Sequence, residues 1–320
     1  MTLTPFQKKL CNALQNGPLA TARPFEEIAK ILGSDEAAVI SETRKLIEIG
    51  IIRRITATIN YRAMGKTSSL VTAHVDEQQL PSVVAAVNLL FGVSHNYLRD
   101  HYYNVWFTLQ AASDEQIESI VGKLSTDSGI EFYSLPVVQT FKLDVHFDAE
   151  SDGQSLLSCK EKIVPAEGTE VLLNSHETAI IKKIQQNLEI VPEPFAWDPD
   201  SLKIIQSLIE KGVIRHIAAV VDYRKLGFNA NAMFACMVED ERVTEVGRQL
   251  AESNNVSHCY QRTTFPGWPY NLFGMMHGHS MEQREKIADD FTSHHKIRHF
   301  ALLKTLKEFK KEPVKVNFES

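Results

Sequence analysis

Apolar positions along the first fifty residues recur at helical spacing. Phe6, Leu10 and Leu14 follow a Thr4-Pro5 start and predict an amphipathic helix. A second short helix is expected over Pro24–Leu32. A third is expected to be capped by Ser34, with Asp35 and Glu36 in its first turn, and to run to Gly50. There the period falls to two, and Ile51–Thr58 reads as an extended wing. Three helices and a wing predict a winged helix-turn-helix. Beyond it, SSLVTAHVDE predicts a strand, Leu80–Leu90 a helix, Val93–Leu98 and Tyr103–Ala111 two strands, Asp114–Leu124 a helix and Ile130–Leu135 a last strand. The order β-α-β-β-α-β is that of a ferredoxin-like unit.

The pattern then starts again. GIIRRITATINYRAMG, from Gly50, returns as GVIRHIAAVVDYRKLG from Gly212, identical at 8 of 16 positions and offset by 162 residues. VSHNYLRDHYYNVWF, from Val93, returns as VSHCYQRTTFPGWPYNLF from Val256, offset by 163, with four residues inserted before the Tyr-Asn pair. Two matches near half the chain length define a tandem duplication. The second ferredoxin-like unit is expected at Ala230–Val238, Glu241–Ser253, Val256–Gln261, Tyr270–His277, Met281–Ser293 and Ile297–Lys304. In the second half IVPEPFAWDPD stands where a helix and turn should be, and about nine residues are missing, so that helix-turn-helix is degenerate. The fold class is α+β. The expected domains are a winged helix-turn-helix over 1–62, a ferredoxin-like domain over 63–147, a linker over 148–170, a degenerate winged helix-turn-helix over 171–224 and a second ferredoxin-like domain over 225–320.

Composition narrows the function. No apolar run reaches the roughly 18 residues of a membrane span, and the N-terminus lacks a signal core, so a cytoplasmic protein is expected. Cys11, Cys159, Cys236 and Cys259 are scattered without CxxC spacing, which fits free thiols in a reducing compartment. A net charge of −6 weighs against DNA binding. In the candidate recognition helix, Arg44 and Lys45 stand against Asp35, Glu36, Glu42 and Glu48, so scaffold or dimer interface is the simpler role. No glycine-rich phosphate loop, HExxH or Ser-His-Asp order is present.

The chemistry concentrates in the two matched hairpins. Residues two apart on a strand share a face, so His95, Tyr97 and Arg99 point one way, as do His258, Tyr260 and Arg262. Each stripe offers an acid/base, a phenol and a guanidinium, twice per chain. Arginine clamps carboxylates, aromatic rings cover a planar face, and histidine moves a proton near neutral pH or ligates a metal. A flat, anionic, aromatic ligand suits that set; a solvated, mutually hydrogen-bonded surface is the competing explanation, weakened by the recurrence. His101, Asn104, Trp268, Tyr270 and Asn271 flank the stripes as further contacts, with His101 and His277 open to a purely structural role. A second basic cluster lies at the wings: Arg53, Arg54, Arg215 and His216.

In these residues, and over nearly its whole length, the chain resembles the siroheme decarboxylases, which look like paralogues of the Lrp/AsnC regulators. GIIRRI and GVIRHI, SHNYLRDHYYNVWF and SHCYQRTTFPGWPYNLFGMMHG carry the resemblance. Lrp-type regulators often have a Gly-aromatic pair where this chain has Arg54-Ile55, and they lack the His-x-Tyr-x-Arg hairpin. The resemblance implies an Lrp/AsnC-like pseudo-dimer in one polypeptide, with further self-association left open. It also implies a carboxy-lyase that removes the C12 and C18 acetate carboxyls of siroheme, giving didecarboxysiroheme in haem or d1 haem synthesis. The partner would be siroheme or another carboxylated tetrapyrrole. No separate cofactor and no metal of the protein's own are expected, because the macrocycle is the electron sink and the iron belongs to the substrate. Under this resemblance His95 and His258 are proton donors or axial groups to that iron, and Tyr97 and Tyr260 are supporting donors. Arg99 and Arg262 are carboxylate clamps, and Arg53, Arg54 and Arg215 hold other carboxylates. A ligand-responsive transcription regulator is the alternative, and a tetrapyrrole carrier a third.

Overall fold

A computed structural model of the chain describes residues 3–143, 145–150, 156–158 and 170–312. Most of the expected linker, with Cys159, lies outside the described residues. The chain folds into two compact units, each assembled from both halves: Met1–Gly65 with Val145–Asn229, and Lys66–Asp144 with Ala230–Ser320. Like associates with like, the two helical segments in one unit and the two ferredoxin-like segments in the other.

In the helical unit the first half has three helices, α1 (Pro5–Asn16), α2 (Pro24–Leu32) and α3 (Glu36–Glu48). Thr4 caps α1 in a reciprocal box with Gln7, which satisfies two orphan N–H groups at once. Asp35, not Ser34, caps α3, accepting from the Ala38 N–H. Gly33 takes the left-handed conformation at the end of α2, and the third helix therefore starts one residue later than expected. The wing is strand β1 (Ile52–Ile59). The second half contributes α6 (Ser175–Ile184), α7 (Ser201–Glu210) and strand β8 (Ile214–Val221), with no helix between residues 185 and 200, as its shortened sequence predicts. The two wings pair with each other antiparallel, Ile55 opposite Ala219 and Ala57 opposite Ile217. Two further short strands complete this unit, β6 (Val145–Phe147) and β7 (Leu156–Ser158), paired antiparallel.

The other unit carries β2 (Thr67–Ala73), α4 (Leu80–Leu89), β3 (Val93–Arg99), β4 (Val105–Ala111), α5 (Asp114–Ser128) and β5 (Phe132–Lys142) from the first half. From the second come β9 (Ala230–Cys236), α8 (Val243–Glu252), β10 (Val256–Arg262), β11 (Leu272–Gly278), α9 (Met281–His295) and β12 (Phe300–Lys311). Each half has the ferredoxin-like strand arrangement, and together they close an eight-stranded barrel in the order β10-β11-β9-β12-β3-β4-β2-β5. The closing strands are β5 and β12, which run well past their expected ends at Leu135 and Lys304. The extension of β12 pairs with β3 (Thr305 opposite Arg99, Glu308 opposite Tyr97), and that of β5 pairs with β10 (Val137 opposite Arg262, Thr140 opposite Tyr260). Closure leaves no strand edge for aggregation.

In this unit, alternation along the strands produces three core clusters among the described residues. Two lie under the helices: Val83, Val87, Ile117 and Val121 on Val71, Phe107 and Leu109, and in the second half Val246, Leu250 and Ala288 on Phe234, Cys259 and Met276. The third has no helical member and draws on both halves, joining Trp106 and Leu135 to Met233, Trp268, Phe273 and Leu303. It is the interior of the barrel. No helix among the described residues is long and apolar enough to cross a membrane.

Candidate functional site

The two His-Tyr-Arg stripes face that interior. Tyr97 lies opposite Trp106 and Tyr260 opposite Phe273, both inner-face residues, while Asn96 turns outward to Asn88 of α4 and Cys259 joins the outer core. A bulge near the start of each strand, before His95 and before Cys259, restores the inward phase that an outward Val93 or Val256 would otherwise deny the histidine. Three strands separate β3 from β10 in either direction round the barrel. The stripes therefore occupy opposite walls. Four antiparallel steps make β3 and β10 parallel, so both histidines lie towards one end and both arginines towards the other.

Within each stripe the groups touch. The His95 and Tyr97 ring centroids are 6.1 Å apart, and those of His258 and Tyr260 6.3 Å. Arg99 lies over the Tyr97 ring at 5.3 Å and Arg262 over Tyr260 at 4.9 Å. The arginines also bind the seams between halves. Arg99 Nη1 donates to the Leu303 carbonyl and Thr305 Oγ1, both at 3.2 Å, and Arg262 Nη1 donates to the Leu135 carbonyl at 2.8 Å. Their part in barrel closure was invisible in the sequence, because the partner strands come from the opposite half. The β12 extension adds Glu308 and Lys311 beside Tyr97 and His95, an ion pair at 3.9 Å that the sequence concealed for the same reason.

At the arginine end the loop over residues 263–269, which carries the four-residue insertion, packs inward. Trp268 is fully buried against Trp106 (5.0 Å), Tyr103 (6.0 Å), Tyr270 (4.7 Å) and the edge of His101 (5.2 Å). Phe265 stacks on Tyr133 at 4.0 Å. Gly267, at φ +87°, lets the turn approach the Tyr103 hydroxyl, which a Cβ would meet at 2.9 Å. The insertion thus supplies an aromatic floor from one half of the chain only. His101 is half-buried, and burial lowers its pKa against the opposing pull of Asp100. Asn104 and Asn271 hold backbone: each amide exchanges two hydrogen bonds with one residue, Val75 and Val238 respectively, at 2.8–3.0 Å.

His277 has a definite place. It is on the inner face of β11, its Nδ1 2.6 Å from Asn231 Oδ1 and its Nε2 2.7 Å from Ser257 Oγ. Ser257 Oγ is in turn 2.8 Å from His258 Nδ1. The Ser-His dipeptide recurs at Ser94-His95 with the same 2.8 Å contact, so the repeated serine was the one signal in the sequence that pointed to this partner. Burial first, then the charges of His258, Lys311 and Arg284, push the His277 pKa down to about 3. The unfolded chain, with its ordinary value of 6.5, binds the extra proton below that pH. Native stability therefore falls as pH drops from 6.5 towards 3, by about 1.4 kcal/mol per unit from this group, and is fully present above 6.5. Urea midpoints at pH 7.5, 6.0 and 5.0 are expected to fall less steeply in His277→Gln than in the parent; parallel slopes would refute the assignment.

The wing arginines belong to the helical unit. Arg53 pairs with Asp222 at 3.0 Å and Arg215 donates to Asn60 Oδ1 at 3.3 Å. Arg54 is partly buried on β1, next to a register shift. None of the three is in the barrel cluster. On α3, Arg44 donates to the Ile190 carbonyl at 2.7 Å and Lys45 pairs with Glu42 at 2.6 Å, so both cations of the candidate recognition helix are engaged within their own unit.

Two ferredoxin-like halves closing one barrel, the first preceded by a helix-turn-helix segment and the second by a shortened helical one, define an AsnC-like protein. The family model described as the AsnC-like ligand binding domain matches residues 63–142 and 225–310, and the siroheme decarboxylase NirDL-like HTH domain matches residues 7–53. Over 317 residues the chain is 34% identical to a siroheme decarboxylase of Hydrogenobacter thermophilus, covering 96% of this chain and 93% of that one. The crystal structure of the siroheme decarboxylase NirDL aligns over 97% of this chain and 94% of that chain, with TM-score 0.74 and 31% identity. A co-complex of NirDL with an iron-uroporphyrin III analogue aligns with TM-score 0.73 and 30% identity over the same shares. The chain belongs to the siroheme decarboxylase family.

Proposed function

We propose that this chain is a carboxy-lyase that converts siroheme to 12,18-didecarboxysiroheme, removing the C12 and C18 acetate carboxyl groups as two carbon dioxide molecules. The observation that carries the reading is the pair of parallel His-Tyr-Arg stripes on opposite walls of one barrel, in a chain whose relative is a siroheme decarboxylase and whose structural neighbour was solved with an iron-uroporphyrin analogue. In each step the bond between the acetate methylene and its carboxylate breaks. Carbon dioxide leaves, the electron pair stays on the methylene carbon and delocalises into the macrocycle, and one proton then converts that carbon to a methyl group.

The side chains suit those needs. A guanidinium carries five N–H donors, so a contact with the barrel wall and one with a substrate carboxylate are compatible for Arg99 and Arg262. His95 and His258 supply an ionisable group near neutral pH, and the adjacent Tyr97 and Tyr260 hydroxyls can support it. The Trp268 floor and its aromatic neighbours exclude water from one end. No additional cofactor is required in this reading, since the tetrapyrrole accepts the electron pair. The three described cysteines are buried and free, which fits a reducing, cytoplasmic setting. A DNA-reading role has no such support, because the α3 cations are already engaged.

Incubation of the purified protein with siroheme under anaerobic conditions is expected to yield a tetrapyrrole lighter by two carbon dioxide equivalents. Recovery of siroheme at unchanged mass would refute the reading.

A further inference from the structure

The two stripes are alike in sequence and unlike in what stands behind them. In the second half a hydrogen-bonded chain runs through Asn231, His277, Ser257 and His258, with successive separations of 2.6, 2.7 and 2.8 Å. In the first half Ser94 meets His95 at 2.8 Å, but Gln110 occupies the position of His277 on the third strand and Ser68 that of Asn231 on the first. The correspondence is fixed by register, Ser68 opposite Gln110 as Asn231 is opposite His277. Glutamine keeps the polarity of this site and loses the imidazole.

With the Asn231 amide oxygen facing His277, the protons along the longer chain run one way; the Ser257 hydroxyl also lies 3.4 Å from the Met275 carbonyl, a longer contact than its 2.7 Å to His277 Nε2. The Asn231 amide oxygen accepts from the His277 Nδ1–H. A neutral imidazole has one N–H, so His277 Nε2 is an acceptor and takes the Ser257 hydroxyl hydrogen. Ser257 Oγ is then left to accept, and the His258 Nδ1–H is the donor that faces it. His258 therefore keeps a proton on Nδ1, and Nε2 is the atom that gains or releases one. Neutrality of His277 follows from its surroundings: His258 on β10, Lys311 on β12 and Arg284 on α9 all oppose a positive charge there, and the side chain is buried.

We propose that His277, acting through Ser257, is a positioning residue that fixes His258 with its proton on Nδ1, and that the second-half stripe therefore delivers the proton to the decarboxylated methylene carbon. This rests on the decarboxylase reading and deepens it by assigning the productive half. The imidazolium of His258 gives its Nε2 proton to the carbon and returns to the neutral Nδ1–H form, which the chain from Ser257 to Asn231 stabilises. Solvent restores the Nε2 proton before the next step.

The test compares Ser257→Ala, Ser257→Thr and His277→Gln with the matched first-half change Ser94→Ala, in siroheme turnover and in the ring-nitrogen resonances of 15N-histidine-labelled protein. Ser257→Ala and His277→Gln are expected to lower kcat roughly 10- to 100-fold, by analogy with the loss when the group that orients a metal-ligating histidine is removed. KM should change little and the pH profile of kcat should move. Ser257→Thr, which keeps the hydroxyl, should recover most of the loss, and Ser94→Ala should cost at least tenfold less than Ser257→Ala. In the resonances, His258 should appear protonated on Nδ1 in the parent and as mixed tautomers in His277→Gln. Unchanged kcat and pH profile in both second-half variants, or an equal loss in Ser94→Ala, would overturn the proposal. So would a parent His258 protonated on Nε2. A parent that fails to decarboxylate siroheme yet shows the Nδ1–H tautomer would refute the functional reading and leave the positioning by His277 intact. Thermal melts of each variant identify a loss due to unfolding, and Ser257→Ala, one hydroxyl smaller, then decides the case.

Discussion

Replacing His258 with alanine is expected to reduce siroheme decarboxylation by roughly 100- to 10,000-fold, the range over which a positioned proton donor acts. The barrel should survive the change. His258 is only partly buried, and its Nδ1 contact with Ser257 is a single hydrogen bond of about 1 kcal/mol net. His95→Ala is expected to be milder, because Gln110 in the first half offers no imidazole behind Ser94-His95. Single-turnover assays under anaerobic conditions, with product separated by chromatography, distinguish the two. Equal and negligible losses in both variants would remove the histidines from the reaction.

A second large effect is expected at Trp268. Alanine there should cost about 3–5 kcal/mol, the range for removing a large buried aromatic side chain, and lower the melting temperature by on the order of 10 °C. Trp268 is fully buried, and its neighbours Tyr103 and Trp106 come from the other half of the chain, so its loss loosens a core that both halves share. Its indole N–H has no acceptor among the described residues. Trp268→Phe keeps most of the ring packing and removes that unsatisfied donor, so it should recover most of the stability. Thermal unfolding followed by circular dichroism checks both variants; a melting temperature for Trp268→Ala within two or three degrees of the parent would show that the floor is not part of the core.

The same residues mark how far sequence reasoning reaches. Local signals fixed the elements: the Thr4-Pro5 start of α1, the shift of period at Gly50, the β-α-β-β-α-β order and its repetition, and the missing helix before α7. The alternation of His95, Tyr97 and Arg99, and of their second-half counterparts, put each stripe on one face because a strand has period two whatever surrounds it. The cap of α3 is Asp35, one residue past the expected Ser34: both are competent caps, and the α2 helix ends in a left-handed Gly33 just before them.

What the tertiary structure decided is which surfaces meet. PVVQTFK after Leu135 and TLKEFKK after Lys304 mix polar and apolar residues without a period of two, and nothing local says that each continues a strand. They do so because the outer strand of the opposite half presents unpaired N–H and C=O groups that the extension satisfies. That pairing closes the barrel, turns Arg99 and Arg262 into ties across the seams, and brings Glu308 and Lys311 beside the first stripe. It also makes the Trp268 turn a floor packed against Tyr103 and Trp106 of the other half. The sequence by itself determined the duplication, the elements and the chemistry each hairpin carries, all of which depend on contacts close along the chain. Only the fold determined that the two hairpins face each other, and that one of them alone is backed by His277, because those contacts join residues far apart in sequence whose pairing no local period encodes.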